Sequence, residues 1–438
     1  MSGKCNKGKI KGDTEPRKMM FEPKIFVGAL AFRDNVVPLE FEILADEDGF
    51  LSIRPLPLEA KDLLKLNGAM GKPGSYVESL VLKGVAKDGS AFLSETIELQ
   101  GMSRGPDKGT VSLRARESIL TFNINEPAKE PFMRLWFRGF KSHRNPVVTM
   151  SLGKVEVGGS NKKTSKDEMS GFVSVYASEA EFPDIDSWVK KTDAFLTFMH
   201  RGLGFAHGGR LQTPRLDVVI GTRWQTTFYD GHGFLKNLSP IHHLSQGPFI
   251  EALAKRFDDP APFPEMLWTA IGWLYDDISI PEGRFLMAMT ALETVVEHLV
   301  PKICTTVIPK TDFAPIREKL IGILADYELE ETAAKIFESK LKGLNARTLS
   351  GKIQGLRDYY CLSDTIFPNS MIVDIIKMRN DITHTGQNKR QQDLLAKEIF
   401  IREFISQIVF CEIHYLGPYQ SYINGYQIIP FQSNYNKG

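Results

Sequence analysis

Apolar residues alternate with polar ones along much of the first part of this 438-residue chain. Beyond the breaker sequence DDPAPFP at 258–264 they recur every three to four residues instead. A strand sends successive side chains to opposite faces, whereas a helix turns once in 3.6 residues. Blocks of both patterns in one chain therefore predict an α+β multidomain protein, with a β-rich N-terminal part and an all-helical C-terminal part.

From Phe21 to about Gly171, nine strand-like runs are separated by turn residues: KIFVGALAF, PLEFEIL, GFLSIRPL, SYVESLVLKGVA, TIELQG, TVSLRA, ILTFNI, MRLWFRGF and VVTMSLGKVEV. They predict a sandwich or barrel. The turns DEDG, KDGS and SRGPDKG carry the Gly and Asp of tight reversals, and GGSNKKTSKDEMSG reads as a flexible loop. Between about Phe172 and Pro262 the pattern is mixed α/β. It holds the strands GFVSVYA, RLDVVIGT and WQTTFYDG, and a helix in FPDIDSWVKKTDAFLTFMHRGLG where Trp188, Phe195 and Phe198 approximate one face. Helices are expected at about 264–277, 281–301, 312–325, 330–343, 348–359, 368–385 and 388–416, with the aromatic tail from Pro418 packing back before it frays. The expected divisions are a flexible basic tail over 1–20, an N-terminal domain over 21–261 that is β-rich to about 171, and a helical domain over 262–430.

Lys+Arg 54 against Asp+Glu 53 leaves a net charge of +1, so no global field draws the chain onto nucleic acid or lipid. A polyanion has to be caught by a local patch. Cys5, Cys304, Cys361 and Cys411 are far apart and form no CxxC pair, which argues against a disulfide framework or zinc knuckle and fits a reducing cytoplasm. The basic N-terminus lacks the apolar stretch of a secretory signal. No window approaches the roughly 20 uncharged apolar residues of a membrane span, because FLMAMTALETVVEHLV is broken by Glu293 and Glu297.

Neither GLGFAHGGR nor VGGSNKKTS has the glycine spacing of a phosphate loop or dinucleotide fold, HExxH is absent, and GMSRG at 101–105 matches GxSxG only within a β-patterned turn, not as a serine-hydrolase elbow. His200, His207, His232, His242 and His243 fall within about 44 residues in a spacing that matches no recognised ligand set. Ordinary surface or hydrogen-bonded histidines are expected there, and a metal-dependent enzyme built on them is an alternative. No metal or cofactor is expected.

The informative segment is IVDIIKMRNDITHTGQ at 372–387, where Arg379 and His384 form an R-x4-H pair with polar Asn380 beside the arginine. Arg138 and His143 in RGFKSH share the spacing, but in a β-patterned segment. In the helical copy, Ile372, Ile375 and Ile376 form an apolar stripe that Arg379 continues. Asn380 and His384 are one turn apart on one face, and Gly386 supplies a helix stop just beyond. Helix-end carbonyl dipoles favour an imidazolium there, in reach of proton transfer near neutral pH. An arbitrary R-x4-H more often pairs a snorkelling arginine with a capping histidine, so context carries the reading.

With RNDITH in a C-terminal helical domain and WLYDDISIPEGRFLMAMTALETVVEHL before it, the chain resembles the ApeA-like branch of the HEPN ribonucleases, prokaryotic anti-phage proteins with a β-rich N-terminal domain. The likeness covers the final 170 or so residues closely. Over the first 260 only the domain order agrees. It implies a C-terminal HEPN bundle that cleaves RNA without metal at a homodimer cleft, with possible higher assembly and a phage-derived trigger. His384 takes the acid or base role, Arg379 stabilises charge and Asn380 orients in support. Glu293 is a candidate to neutralise or orient Arg379. A non-catalytic HEPN module that binds nucleotide or nucleic acid is the other reading. The region from about 262 carries about three more acidic than basic residues and the first 150 about four more basic, so RNA affinity is expected to be modest and salt-sensitive.

Overall fold

The computed structural model describes residues 22–66, 69, 78–142, 146–160, 167–177, 184–231, 238–275, 278–327, 329–387 and 394–435. The expected tail at 1–20, Cys5, His143, His232 and the centre of the loop at 158–171 lie outside the described residues. The chain divides into two compact units, Met1–Gly204 with Arg210–Phe234, and Phe205–Gly209 with Leu235–Gly438.

The first unit is built on a large antiparallel sheet. Its strands are β1 (Lys24–Phe32), β2 (Asn35–Ala45), β3 (Leu51–Pro55), β4 (Leu58–Glu59), β5 (Leu80–Ala86), β6 (Ala91–Arg104) and β7 (Lys108–Ala115). Then come β8 (Glu117–Asn123), β9 (Phe132–Arg138), β10 (Val147–Met150), β11 (Gly153–Gly158), β12 (Met169–Tyr176), β13 (Arg215–Ile220) and β14 (Arg223–Tyr229). The short helix α1 (Ala60–Lys65) follows β4, and α2 (Ile185–His207) follows β12. The strand order is β10-β11-β12-β9-β13-β14-β8-β6-β5-β1-β2-β3, with β7 joined to β6 and β4 to β7. A sandwich or barrel was the expectation from alternation. The ladders form one continuous path, and the sheet curls so that β3 returns against β7.

Alternation explains the core. Val37, Leu39, Phe41, Ile43 and Ala45 of β2 all turn inward, while the residues between them are exposed or half-buried. Register places Phe26 of β1 opposite Phe41, and the two rings stack at 5.5 Å with Phe92 edge-on to Phe41 at 5.6 Å. Gly28 and Gly84 pair across β1 and β5, and a Cβ on Gly84 would sit 2.8 Å from the Phe41 ring, so only glycine lets that ring lie flat on the strand. The turns behave as their residues require. Asp46 accepts from the amides of Asp48 and Phe50, and Gly49 and Gly89 take the left-handed φ of 78° and 81°.

The run read as VVTMSLGKVEV is two strands, β10 and β11, turned at Gly153 with φ 110°. Strand β9 departs from one-sided alternation: both of its faces are covered, and Arg134, Trp136 and Arg138 are buried with their neighbours. Trp136 and Arg134 find their partners on β13 and β12. Buried Asp217 accepts two bonds from Arg215, at 2.8 and 2.7 Å, one from Trp136 Nε1 at 2.8 Å and one from Thr226 Oγ1 at 2.8 Å. Arg134 donates to Ser174 Oγ at 2.6 Å and Tyr176 Oη at 2.8 Å.

The second unit holds α3 (Gln246–Phe257), α4 (Glu265–Leu274), α5 (Pro281–Leu299), α6 (Lys310–Ala325), α7 (Glu331–Gly343), α8 (Leu349–Tyr359), α9 (Asn369–Thr385) and α10 (Leu394–Glu412). A hairpin of β15 (Gly417–Ser421) and β16 (Gln427–Phe431) follows. Helix α5 is the hub, touching α4, α8, α9 and α10. Pro281 opens it at a position where a missing N–H costs nothing. Helix α10 is apolar nearly all round and buried along most of its length, as a surrounded helix must be. Its polar residues are matched inside: Glu403 accepts from Tyr419 Oη, Ser421 Oγ and the Tyr422 amide.

Seven helices were expected here and each is present, with ends moved by a few residues; the expected start of the last, 388–393, lies outside the described residues. Helix α3 was not expected. Pro248 falls in its first turn, where a proline removes no intrahelical bond. The tail does pack back, burying Tyr419, Phe431 and Tyr435.

Candidate active site

Helix α9 is positioned from both ends. At its start, buried Arg357 donates to Phe367 O at 3.0 Å and to Asn369 Oδ1 at 2.9 Å. At its end, Gly386 adopts φ 70° and its amide returns to Ile382 O at 2.8 Å, a left-handed cap that glycine takes without strain. Between them Ile372, Ile375, Met378 and Ile382 are buried, so the face toward the bundle includes Met378 and leaves Ile376 half-buried.

Arg379 stands at the margin of that face. Its Nε lies 3.2 Å from Glu293 Oε1 and its Nη2 donates to Glu293 Oε2 at 3.4 Å, tying α9 to α5. Its Nη1 donates to Asn380 Oδ1 at 3.3 Å. Thr383 Oγ1 donates back to Arg379 O at 2.8 Å. The Arg379 side chain is 38% exposed, so the ion pair holds its orientation without sequestering it.

His384 is exposed in the last turn and has no hydrogen-bond partner among the described residues. Five residues on an α-helix turn through about 500°, which leaves Arg379 and His384 about 140° apart around the axis. Arg379, Asn380 and Glu293 are thus brought together, and His384 stands on another face nearer Asn380. One helix does not aim the guanidinium and the imidazole at a single point.

The other motifs fall to structural roles. Arg138 is 3% exposed, donates to Asp48 O and Gly231 O, and lies over the Phe50 ring at 3.8 Å. Burial holds the His200 imidazole below its usual range. Its Nε2 meets Leu211 O at 2.7 Å and its ring stacks on Phe137. His242 and His243 are adjacent with ring centres 4.2 Å apart, and His242 Nδ1 accepts from the Leu244 amide. Among the described residues no group of three or more His, Cys, Asp or Glu is arranged to hold a metal. GLGFAHGGR is the end of α2, closed by Gly208 at φ 81°.

Sequence reasoning did not foresee a small cleft in the second unit, lined by Tyr275, Arg402, Glu403, Tyr419, Gln420 and Tyr422 among others. Its lining includes none of Arg379, Asn380, His384 and Glu293. Its polar tips are engaged internally: Arg402 with Glu398 and Leu274 O, Tyr275 with Phe205 O, and both Gln420 and Tyr422 with Ser239 O. No helix among the described residues is long and apolar enough to cross a membrane. A scan against protein-family models, a search of curated proteins and a search of solved structures each return no match.

Proposed function

We propose that the chain is a HEPN-type endoribonuclease that cuts RNA without a metal ion, using His384 for proton transfer, Arg379 for charge stabilisation and Asn380 in support. The observation that carries the reading is the pairing of a partly exposed arginine side chain, oriented by Glu293 and Asn380, with an exposed imidazole that has no hydrogen-bond partner among the described residues, one to two turns away on the same helix end. A forked guanidinium suits phosphoryl oxygens, and an exposed imidazole suits proton transfer near neutral pH.

In the proposed reaction the ribose 2′-hydroxyl gives its proton to one imidazole as its oxygen bonds to phosphorus. The P–O5′ bond breaks, its electron pair leaves on the 5′-oxygen, and that oxygen takes a proton from a second imidazole. Guanidinium groups hold the non-bridging oxygens while charge gathers on them. The products are a 2′,3′-cyclic phosphate and a 5′-hydroxyl. Because one α9 carries one imidazole and points it away from its own guanidinium, a homodimer supplies the full set.

The family resemblance extends the proposal to a cytoplasmic anti-phage role, in which the sheet-bearing unit senses a phage-derived trigger or restrains the nuclease. A substrate test bears on the chemistry itself. An RNA with one 2′-deoxyribose at a mapped cleavage position is expected to resist cutting there and to be cut elsewhere; cutting at the deoxy position would remove the 2′-hydroxyl mechanism.

A further inference from the structure

The ends of helices α8 and α10 bring two cysteines to one place. Cys361 follows α8, where its amide donates to Asp358 O at 3.1 Å and the next amide, that of Leu362, donates to Arg357 O at 2.9 Å. These bonds close the helix with Cys361 in the left-handed region, at φ 53°. Glycine takes that position without strain. A cysteine there is held against its own backbone preference, and its exposed thiol gains no burial in return.

Cys411 stands in the last turn of α10 and is buried. Its Sγ donates to Tyr360 O at 3.8 Å. That oxygen belongs to the peptide bond joining Tyr360 to Cys361, so the buried sulfur lies against the backbone of the exposed cysteine. The C-terminal tail packs on the same spot. Ser433 Oγ is 3.4 Å from Cys411 Sγ, and Tyr435 donates to Glu412 Oε1 at 3.4 Å with its ring 4.7 Å from that of Tyr360.

The two thiols are therefore unequal. Solutes reach Cys361, whereas burial pushes the Cys411 thiol up to about 12, with Glu412 and Cys361 acting in the same direction. Cys411 is protonated at neutral pH and does not react with an oxidant on its own. An exposed thiol beside a second one that can resolve it is the arrangement of a redox-responsive pair.

We propose that Cys361 and Cys411 form an intramolecular disulfide in response to hydroperoxides. The Cys361 sulfur attacks a peroxide oxygen and the O–O bond breaks, which leaves a sulfenic acid on Cys361 and reduces the peroxide to an alcohol or water. The Cys411 sulfur then bonds to the Cys361 sulfur, the S–O bond breaks, and the departing hydroxide takes the Cys411 proton as water. The bridge ties the end of α8 to the end of α10 and encloses all of α9 in the loop between them. In a reducing compartment a dithiol reopens it. The proposal is independent of the ribonuclease reading, since neither thiol belongs to the Arg379 site and its test reads mass rather than cleavage.

The full chain is treated with equimolar hydrogen peroxide, free thiols are alkylated, and the digest is mapped without reduction. The expected product is lighter by two hydrogens, links Cys361 to Cys411 and reverts with dithiothreitol. Cys411→Ser is expected to stop at a Cys361 sulfenic acid that dimedone traps, Cys361→Ser to leave Cys411 reduced, and Cys304→Ser to form the bridge as the wild type does. Oxidation is expected to raise the thermal unfolding midpoint of the wild type and leave that of Cys361→Ser unchanged, because the bridge restricts the unfolded chain. Cys361 that stays a thiol, that oxidises further while Cys411 remains free, or that pairs with Cys5, Cys304 or a second copy would overturn the proposal. So would a lower midpoint for the bridged protein, the mark of a bond the fold does not accommodate.

Discussion

Arg379 and Glu293, 86 positions apart in the chain, form a two-point ion pair that fixes the end of α9 against the hub helix α5. The pair both orients the guanidinium and competes with any phosphate for it.

Replacing Glu293 therefore has a signed outcome. Glu293→Gln is expected to tighten RNA binding at low salt, because one carboxylate no longer opposes the phosphates. The unfolding free energy should move by less than about 1 kcal/mol, since both partners are about a third exposed. Filter-binding at two salt concentrations, with a denaturant titration alongside, checks both parts. Weaker RNA binding would show that Glu293 serves to hold the site rather than to restrain it.

Removing Asp217 strands a buried cation. Asp217→Asn leaves Arg215, 3% exposed, without its carboxylate, and the expected loss is about 3–5 kcal/mol for the first unit. Urea unfolding followed by tryptophan fluorescence reports it directly, because Trp136 and Trp224 both bond to Asp217.

Alkaline pH should weaken the fold. Burial pushes the Cys411 thiol up to about 12 and the Tyr415 and Tyr229 phenols up to about 12. In the unfolded chain these groups lose protons near about 8.5 and 10. Between those values and about 12 the native state holds more protons, so stability is complete below about pH 8.5 and falls as pH rises through this window. Urea midpoints at pH 8, 9.5 and 10.5 are expected to decrease in that order.

Gly386 tests the end of the site helix. Gly386→Ala forces a Cβ into a backbone at φ 70°, with an expected cost of about 1 kcal/mol. Gly386→Asn should cost less, because asparagine tolerates the left-handed region. Thermal unfolding of the two variants gives the comparison.

What could be read beforehand follows physical range. Strands such as β2 announce themselves through alternation, and α9 through its stripe and its glycine stop, because both signals lie within a dozen residues. The covered faces of β9 were not legible, since Arg134 looks like a solvent-facing position until β12 supplies Ser174 and Tyr176 from 40 and 42 residues away, and Arg138 does so until Asp48 O and Gly231 O reach it from 90 and 93 residues away. Asn424 and Gly425, at φ 59° and 107°, are a hairpin signal that was present and unread in the aromatic tail. At the candidate site, Arg379, Asn380 and His384 were singled out by their place at a helix end and by the family resemblance, since the same spacing also picks out Arg138 and His143. The Glu293 contact was only a candidate, because no local pattern specifies a partner on another helix.

The most direct measurement is cleavage of RNA by the purified chain in excess chelator, with product ends analysed, for the wild type and for Arg379→Ala and His384→Ala of unchanged helical content. The expected result is cutting by the wild type that leaves 2′,3′-cyclic phosphate ends, and loss of cutting in both variants. Equal cutting by either variant, or RNA bound alike by all three with no cleavage, would contradict the account.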